Sequence, residues 1–187
     1  MKQPKRPSPF ITRSSRVVWC CPWYSVRQDE ITLPNGRPGV FNVVQHPGAV
    51  WIIPLTAAGE IVMLRHYRYT IDDWCWEVPA GGLKAGLSVE ETALAELREE
   101  VGGRAEWLEY FGRFYTANGI CNEVAQIYIA GGVTLGQTDH EAAEVIEVHP
   151  LPLDQVLSMA HANQISDAPT ALALLLAEPR LRQLAAT

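Results

Sequence analysis

Three carboxylates lie close together in the middle of the chain: Glu96, Glu99 and Glu100. If this segment is helical, their spacings of three and four residues place them on adjoining positions of one helical face. Like charges at such spacing repel by on the order of a few tenths of a kcal/mol per pair, so a cation should offset them. A hard divalent cation with oxygen ligands, Mg²⁺ or Mn²⁺, is the natural candidate. A solvated acidic helix face is the alternative interpretation.

Local signals predict that helix and its ends. Ser88, followed three residues later by Glu91, is typical of a capping box. Gly102 and Gly103 supply a stop. Apolar residues that recur at helical spacing should face the core, and they are Val89, Ala93, Leu97 and Val101.

The glycine loop and helix together resemble the box of the Nudix hydrolases, whose pattern is Gly, five residues, Glu, seven residues, Arg-Glu-apolar-x-Glu-Glu-x-Gly-apolar. Gly81 takes the first position. The later positions are matched by Glu96, Leu97, Glu99, Glu100 and Gly102. The box is degenerate, because Leu87 stands where the pattern has Glu, Ala95 where it has Arg, and Gly103 where it has an apolar residue. If that Glu and Arg pair in the family, losing both leaves no uncompensated charge.

Three flanking stretches resemble the ADP-ribose pyrophosphatase branch of the family. Residues 77–82 match its Glu-apolar-Pro-Ala-Gly run, and residues 64–69 match its Gln-Tyr-Arg-Tyr strand with His66 in place of Gln. Residues 114–123 match its Phe-Tyr-x-Ser-Pro-Gly-x-x-x-Glu loop, with Asn118 in place of Pro. The resemblance covers nearly the whole chain, from about residue 17 to 184.

The resemblance implies an α+β fold in which a mixed β-sheet lies between helices, an α/β/α sandwich with an N-terminal antiparallel strand unit at about residues 15–46. We expect one Nudix domain over residues 15–187, preceded by a mobile basic arm at residues 1–14 that is rich in Lys, Arg and Pro. The patterns predict strands at 17–27, 30–33, 40–45, 49–55, 61–69, 74–78, 108–115, 125–130 and 145–149. They predict helices at 153–162 and 170–184, the second broken by Pro179.

The implied chemistry is hydrolysis of a nucleoside diphosphate linked to another moiety. Mg²⁺, for which Mn²⁺ can substitute, would neutralise the diphosphate and activate water. Glu96 and Glu100 are the first-choice metal ligands, with Glu99 as the third. The family also uses the backbone carbonyl at the position of Ala80. Glu96 and Glu99 therefore also belong to the predicted catalytic set.

The remaining predicted site residues are less specific. Glu144 keeps the family's spacing for a general base, with Glu141 as a weaker candidate and His140 as a minor one. A solvated acidic loop is the alternative. The predicted substrate-binding residues are Arg68, Glu77, Arg27 and Tyr115. Trp74 and Trp76 could also stack a base, although aromatic residues in strands more often belong to the core.

Composition limits the classes of partner. The 187 residues carry a net charge of −6, which argues against general nucleic-acid binding. No apolar run approaches the about 20 residues that span a membrane, so we expect no membrane partner. The four cysteines form no zinc-like spacing, which favours reduced thiols in the cytoplasm. A homodimer is expected from the resemblance.

These observations predict an enzyme that hydrolyses a nucleoside diphosphate sugar, with ADP-ribose giving AMP and ribose 5-phosphate as the first choice. Two alternatives remain open. Asn118 and the altered box favour a different nucleoside diphosphate derivative as substrate. Leu87 and Ala95 favour a catalytically weak nucleotide-binding sensor.

Overall fold

The computed structural model describes residues 7–185, so residues 1–6 of the expected arm lie outside the described part. The strands are β1 Ile11–Cys20, β2 Ser25–Thr32, β3 Pro38–Gln45, β4 Ala49–Leu55, β5 Glu60–Arg68, β6 Asp73–Glu77, β7 Ala80–Gly82, β8 Trp107–Tyr115, β9 Val124–Gly131 and β10 Ile146–Pro152. The helices are α1 Val89–Val101, α2 Leu153–His161 and α3 Ala168–Ala185. The chain divides into two compact units.

The first unit holds the antiparallel sheet β1-β2-β3. β1 begins at Ile11, so residues 11–14 of the expected mobile arm are paired strand, and that prediction is wrong there. The predicted single strand over residues 17–27 is also wrong. The chain turns at Cys21–Tyr24, where the Cys21 N–H donates to the Tyr24 carbonyl at 3.0 Å. Pro22 explains the turn, because proline lacks the N–H that a central strand position needs.

A distant segment, residues 117–123, completes the first unit. The Val44 N–H donates to the Ile120 carbonyl at 2.8 Å, and Val44 also forms a parallel bridge with Cys121. The three strands of this unit thus lie close to the predicted residues 15–46, and the compact unit also includes residues 117–123, which we did not predict.

The second unit comprises residues 48–116 and the described residues from 124 onward. Its seven strands form one sheet in the order β10-β5-β4-β9-β8, with β6 paired to β5 and β7 paired to β4. β4 and β9 run parallel, while the other pairs run antiparallel. The predicted mixed sheet is confirmed.

Helices cover both faces of this sheet because its central strands alternate between two cores. On β5, Ile61 and Met63 pack with α2 and α3, whereas Val62 and Leu64 pack with α1. Successive side chains of a strand point to opposite faces, so a continuous apolar run indicates burial on both sides. The α/β/α sandwich of the second unit is therefore confirmed.

The last helix contains Pro179 without breaking, which contradicts our prediction. Buried residues on both sides of the proline hold the helix together, and they are Ala173, Leu174, Ala177 and Leu181. Their burial offsets the lost hydrogen bond to the carbonyl four residues earlier. Within residues 7–185 no helix is both long and apolar enough to cross a bilayer.

Candidate active site

Helix α1 forms as its end signals predict. The Ser88 hydroxyl accepts from the Glu91 N–H at 3.1 Å, and the Glu91 carboxylate accepts from the Ser88 N–H at 2.7 Å. Gly102 ends the helix in the left-handed conformation, with φ of 63°. The apolar stripe faces the core, which turns the glutamate face toward the loop that precedes the helix.

Two of the three glutamates, Glu96 and Glu100, are buried against the backbone of β7. Glu96 is 7% exposed and Glu100 is 3% exposed. The Ala80 N–H donates to Glu100 Oε2 at 2.8 Å, so the backbone of Ala80 lies directly beside this carboxylate. Gly81 lies beneath Glu96, where any β-carbon would overlap the carboxylate. A glycine at this position therefore lets the Glu96 carboxylate lie directly against the backbone of β7.

Lys84 lies between the carboxylates of Glu96 and Glu99. Its Nζ is 3.1 Å from Glu96 Oε1 and 2.5 Å from Glu99 Oε2. Burial acts to lower the pKa of Lys84, but the bonds to Glu99 and Glu96 outweigh it and raise that pKa. Lys84 therefore keeps its positive charge and lies among the predicted metal ligands.

Burial also shifts the pKa values of the carboxylates. Desolvation raises the pKa of Glu96 despite the opposing effect of Lys84. Desolvation raises the pKa of Glu100 further, although the bond from the Ala80 N–H opposes it. The negative charge of Glu144 adds to both upward shifts. A bound cation would offset the negative charge that Glu96, Glu100 and Glu144 bring together.

The donor set fits a hard divalent cation in its chemistry, because every candidate ligand atom is an oxygen. The arrangement is not a finished coordination site. Among residues 7–185 no three His, Cys, Asp or Glu side chains are grouped so that they could hold one ion. The Lys84 ammonium contacts two of the three predicted carboxylates, so a metal ion at Glu96 Oε1 and Glu99 Oε2 would have to displace it.

Arg68 and Glu77 form a second polar group. Arg68 Nε donates to Glu77 Oε1 at 2.8 Å and Nη2 donates to Oε2 at 2.5 Å, while Glu77 is 4% exposed. Burial acts to lower the pKa of Arg68, but the ion pair with Glu77 outweighs it, and Glu100 and Asp167 also act to raise the pKa. The bidentate pair holds the guanidinium group in one orientation.

His66 lies next to this pair and is almost fully buried. Its Nδ1 is 3.7 Å from Glu77 Oε2 and finds no hydrogen-bond partner within the described part of the chain. Desolvation, reinforced by the charges of Arg68 and His140, lowers the pKa of His66 to about 4. This imidazole is therefore neutral at pH 7.

The loop at residues 138–144 contributes unequally to the site. Glu144 is half-buried, and its charge raises the pKa of Glu96 and Glu100. Glu141 is exposed and contacts Glu144 through its backbone: its N–H donates to Glu144 Oε2 at 2.7 Å, and its carbonyl accepts from the Glu144 N–H at 3.0 Å. His140 Nε2 bonds to the Glu100 carbonyl at 2.8 Å. The geometry therefore favours Glu144 over Glu141 and gives His140 a contact that anchors the loop.

Of the remaining predicted residues, Tyr115, at the end of β8, is 60% exposed. Arg27 belongs to the first unit, where it forms a bidentate pair with Asp29. Trp76 packs against the core beneath α2 and α3, and Trp74 makes an edge contact with Tyr67. Trp76 thus follows the core interpretation, whereas Trp74 belongs to neither core cluster of the described residues.

Sequence reasoning did not include Lys84 in the site and noted His66 only as a departure from the family pattern. Lys84 occupies an unspecified position of the box, so spacing gave no signal for it. A lone Lys three residues after the first glycine could nevertheless have been recognised as a reachable cation for the helix carboxylates.

Comparisons with known proteins identify the family of the chain. The family model of the NUDIX domain matches residues 45–173. The ADP-ribose pyrophosphatase of Bacillus subtilis (strain 168) is 33% identical over 148 residues, covering 78% of this chain and 80% of that protein. The methanol dehydrogenase activator of Bacillus methanolicus is 35% identical over 166 residues, covering 86% and 85%. The chain belongs to the Nudix family.

A solved structure supports the same fold. It is described as an ADP compounds hydrolase, superimposes with a TM-score of 0.81 and covers 97% of this chain and 98% of its own. At 20% sequence identity, this likeness concerns the fold alone.

Proposed function

We propose that this Nudix enzyme hydrolyses the diphosphate of a nucleoside diphosphate sugar, with ADP-ribose as the first-choice substrate. Water adds across one P–O bond of the diphosphate, and the products are AMP and ribose 5-phosphate. The proposal rests on one observation: the buried carboxylates of Glu96 and Glu100 pack against the backbone of β7 at Ala80 and Gly81. The similarity to an ADP-ribose pyrophosphatase supports the choice of substrate.

Nudix hydrolases generally depend on a divalent metal, and we propose Mg²⁺, with Mn²⁺ as a substitute. The residues that would hold it are Glu96, Glu99, Glu100 and the carbonyl of Ala80. When bound, such an ion neutralises diphosphate oxygens and lowers the pKa of a coordinated water. The raised pKa values of Glu96 and Glu100 support this proposal, because a nearby cation would stabilise their charged forms.

The other residues would bind substrate or accept a proton. Arg68 would contact a phosphate with the guanidinium N–H groups that Glu77 does not engage, and Glu77 would hold it in place. Glu144 would take the proton of the attacking water, which its half-buried position near Glu96 and Glu100 supports. The exposed ring of Tyr115 would stack on the base.

A matched pair of variants tests the proposal. Glu100→Gln keeps the size of the buried side chain and its ability to accept from Ala80, but it removes the charge. Glu90→Gln makes the same change at an exposed position of the same helix. With ADP-ribose and Mg²⁺, we expect Glu100→Gln to lose about a hundredfold or more in AMP release and Glu90→Gln to match the wild type. No turnover of any nucleoside diphosphate sugar by folded wild-type protein would refute the proposal.

Two observations favour alternative functions. Asn118 stands where the branch has Pro, and it favours another nucleoside diphosphate derivative as the substrate. A panel of substrates tests this alternative, and a kcat/KM preference for ADP-ribose above about tenfold rejects it. Leu87, which is 45% exposed, and Ala95 favour a weak sensor, which requires that ADP-ribose raise the Tm without being cleaved.

We also propose a homodimer in the cytoplasm. β1 is exposed along its whole length, including three neighbouring apolar residues, Val17, Val18 and Trp19. An exposed apolar strand of this kind is typical of an interface, and Arg27 on the adjacent strand would then lie near it. Light scattering coupled to gel filtration tests the mass. The four free cysteines support a reducing compartment.

A further inference from the structure

Lys84 supplies a positive charge inside the site that the resemblance did not assign. Its ammonium group contacts Glu96 Oε1 at 3.1 Å and Glu99 Oε2 at 2.5 Å. The Glu96 side chain is 9% exposed and that of Lys84 is 36% exposed, so the Lys84–Glu96 contact is partly shielded from water. Such contacts are less screened than surface ion pairs.

The need for this charge follows from the altered box. Ala95 stands where the pattern has Arg, and Leu87 stands where it has Glu, so the loop and helix lack the ion pair that those two residues could form. Without Lys84, Glu96 would be buried with Glu99 and Glu144 as its charged neighbours, and both are acidic. An unpaired buried carboxylate is costly, and a nearby ammonium group lowers that cost.

We propose that Lys84 is a built-in counter-cation that stabilises the metal-free site and competes with the divalent ion for Glu96 and Glu99. The inference rests on the proposed metal-dependent function. A carboxylate oxygen that accepts a short hydrogen bond from an ammonium group cannot use the same lone pair for a metal ion. Metal binding at Glu96 Oε1 and Glu99 Oε2 therefore requires the Lys84 side chain to swing away, and this side chain is 36% exposed, which leaves room for that movement.

The chain offers a control at the same carboxylate. Arg98 Nη2 lies 3.4 Å from Glu99 Oε1, but its side chain is 66% exposed. It adds a positive charge near Glu99 without a contact to Glu96. If any nearby positive charge weakened metal binding, Arg98 and Lys84 would behave alike.

The experiment compares Lys84→Met and Arg98→Met with the wild type after chelator treatment. Isothermal titration with Mn²⁺ alone gives the Kd, and thermal unfolding with and without Mn²⁺ gives the Tm. We expect Lys84→Met to bind Mn²⁺ about tenfold more tightly than the wild type and to have a lower metal-free Tm, with the Tm gap closing at saturating Mn²⁺. Arg98→Met should stay within about twofold of the wild-type Kd.

Unchanged or weaker Mn²⁺ binding by folded Lys84→Met overturns the inference and leaves the proposed function standing. Equal tightening in both variants also overturns it, because the effect would then be a general one of charge. Failure of the wild type to bind Mn²⁺ at millimolar concentration would reject the proposed metal site itself, and this inference with it.

Discussion

Gly81→Ala should lower the activity strongly and the stability only slightly. Gly81 pairs with Val50 in β7, an extended conformation that alanine also adopts. The added β-carbon would overlap the carboxylate of Glu96, which is the far end of a flexible side chain. Glu96 can move aside by changing rotamer, at a cost of about 1 kcal/mol. For a protein of this length, 1 kcal/mol corresponds to about 2–4 °C in Tm.

The same movement takes Glu96 away from its place beside Lys84 and Glu100. A displacement of about 1 Å at a catalytic site costs about a hundredfold in rate. We therefore expect Gly81→Ala to lose about a hundredfold in kcat/KM for ADP-ribose, measured by AMP release, with a Tm only a few degrees lower. Gly112→Ala, where an added β-carbon meets open space, is the control and should change neither quantity. Activity of Gly81→Ala within threefold of the wild type would refute the role assigned to Glu96.

Three further predictions concern pH, substrate binding and helix stability. Because the pKa of His66 falls from 6.5 to about 4 on folding, the unfolded state binds more protons as pH drops through this window. Relative to His66→Gln, the wild type should lose about 2 kcal/mol in its free energy of unfolding by urea between pH 7 and pH 5, and parallel pH profiles for the two proteins would contradict this. Glu77→Gln should raise KM for ADP-ribose more than it lowers kcat, because Arg68 loses its orienting partner; a loss confined to kcat would count against it. Pro179→Ala should raise the free energy of unfolding by about 1–3 kcal/mol, and no change in the urea midpoint would oppose that expectation.

Several features of this fold could be predicted from neighbouring residues alone. The capping box of Ser88 and Glu91 and the glycine stop of α1 depend on groups within four residues of each other. The same holds for the placement of Glu96 and Glu100 on one face. The mixed sheet and its helical cover followed from the family resemblance and from the apolar strands, and the structure confirms both.

Two differences from the predictions arose where distant contacts outweigh local preference. Pro179 alone predicts a broken helix, yet burial on both sides of it keeps α3 continuous. Residues 117–123 join the first unit through hydrogen bonds to Val44, about 75 residues earlier, which no local pattern could reveal.

The sequence by itself determined which glutamates share one face of α1, because helical geometry is set by spacing within a few residues. Only the tertiary structure decided how those residues are charged and paired. The burial of Glu100, the Arg68–Glu77 pair and the position of Lys84 between two carboxylates depend on segments that meet only after folding. Desolvation and ion pairing arise from the three-dimensional surroundings of a group, and a pattern along the chain does not encode them directly.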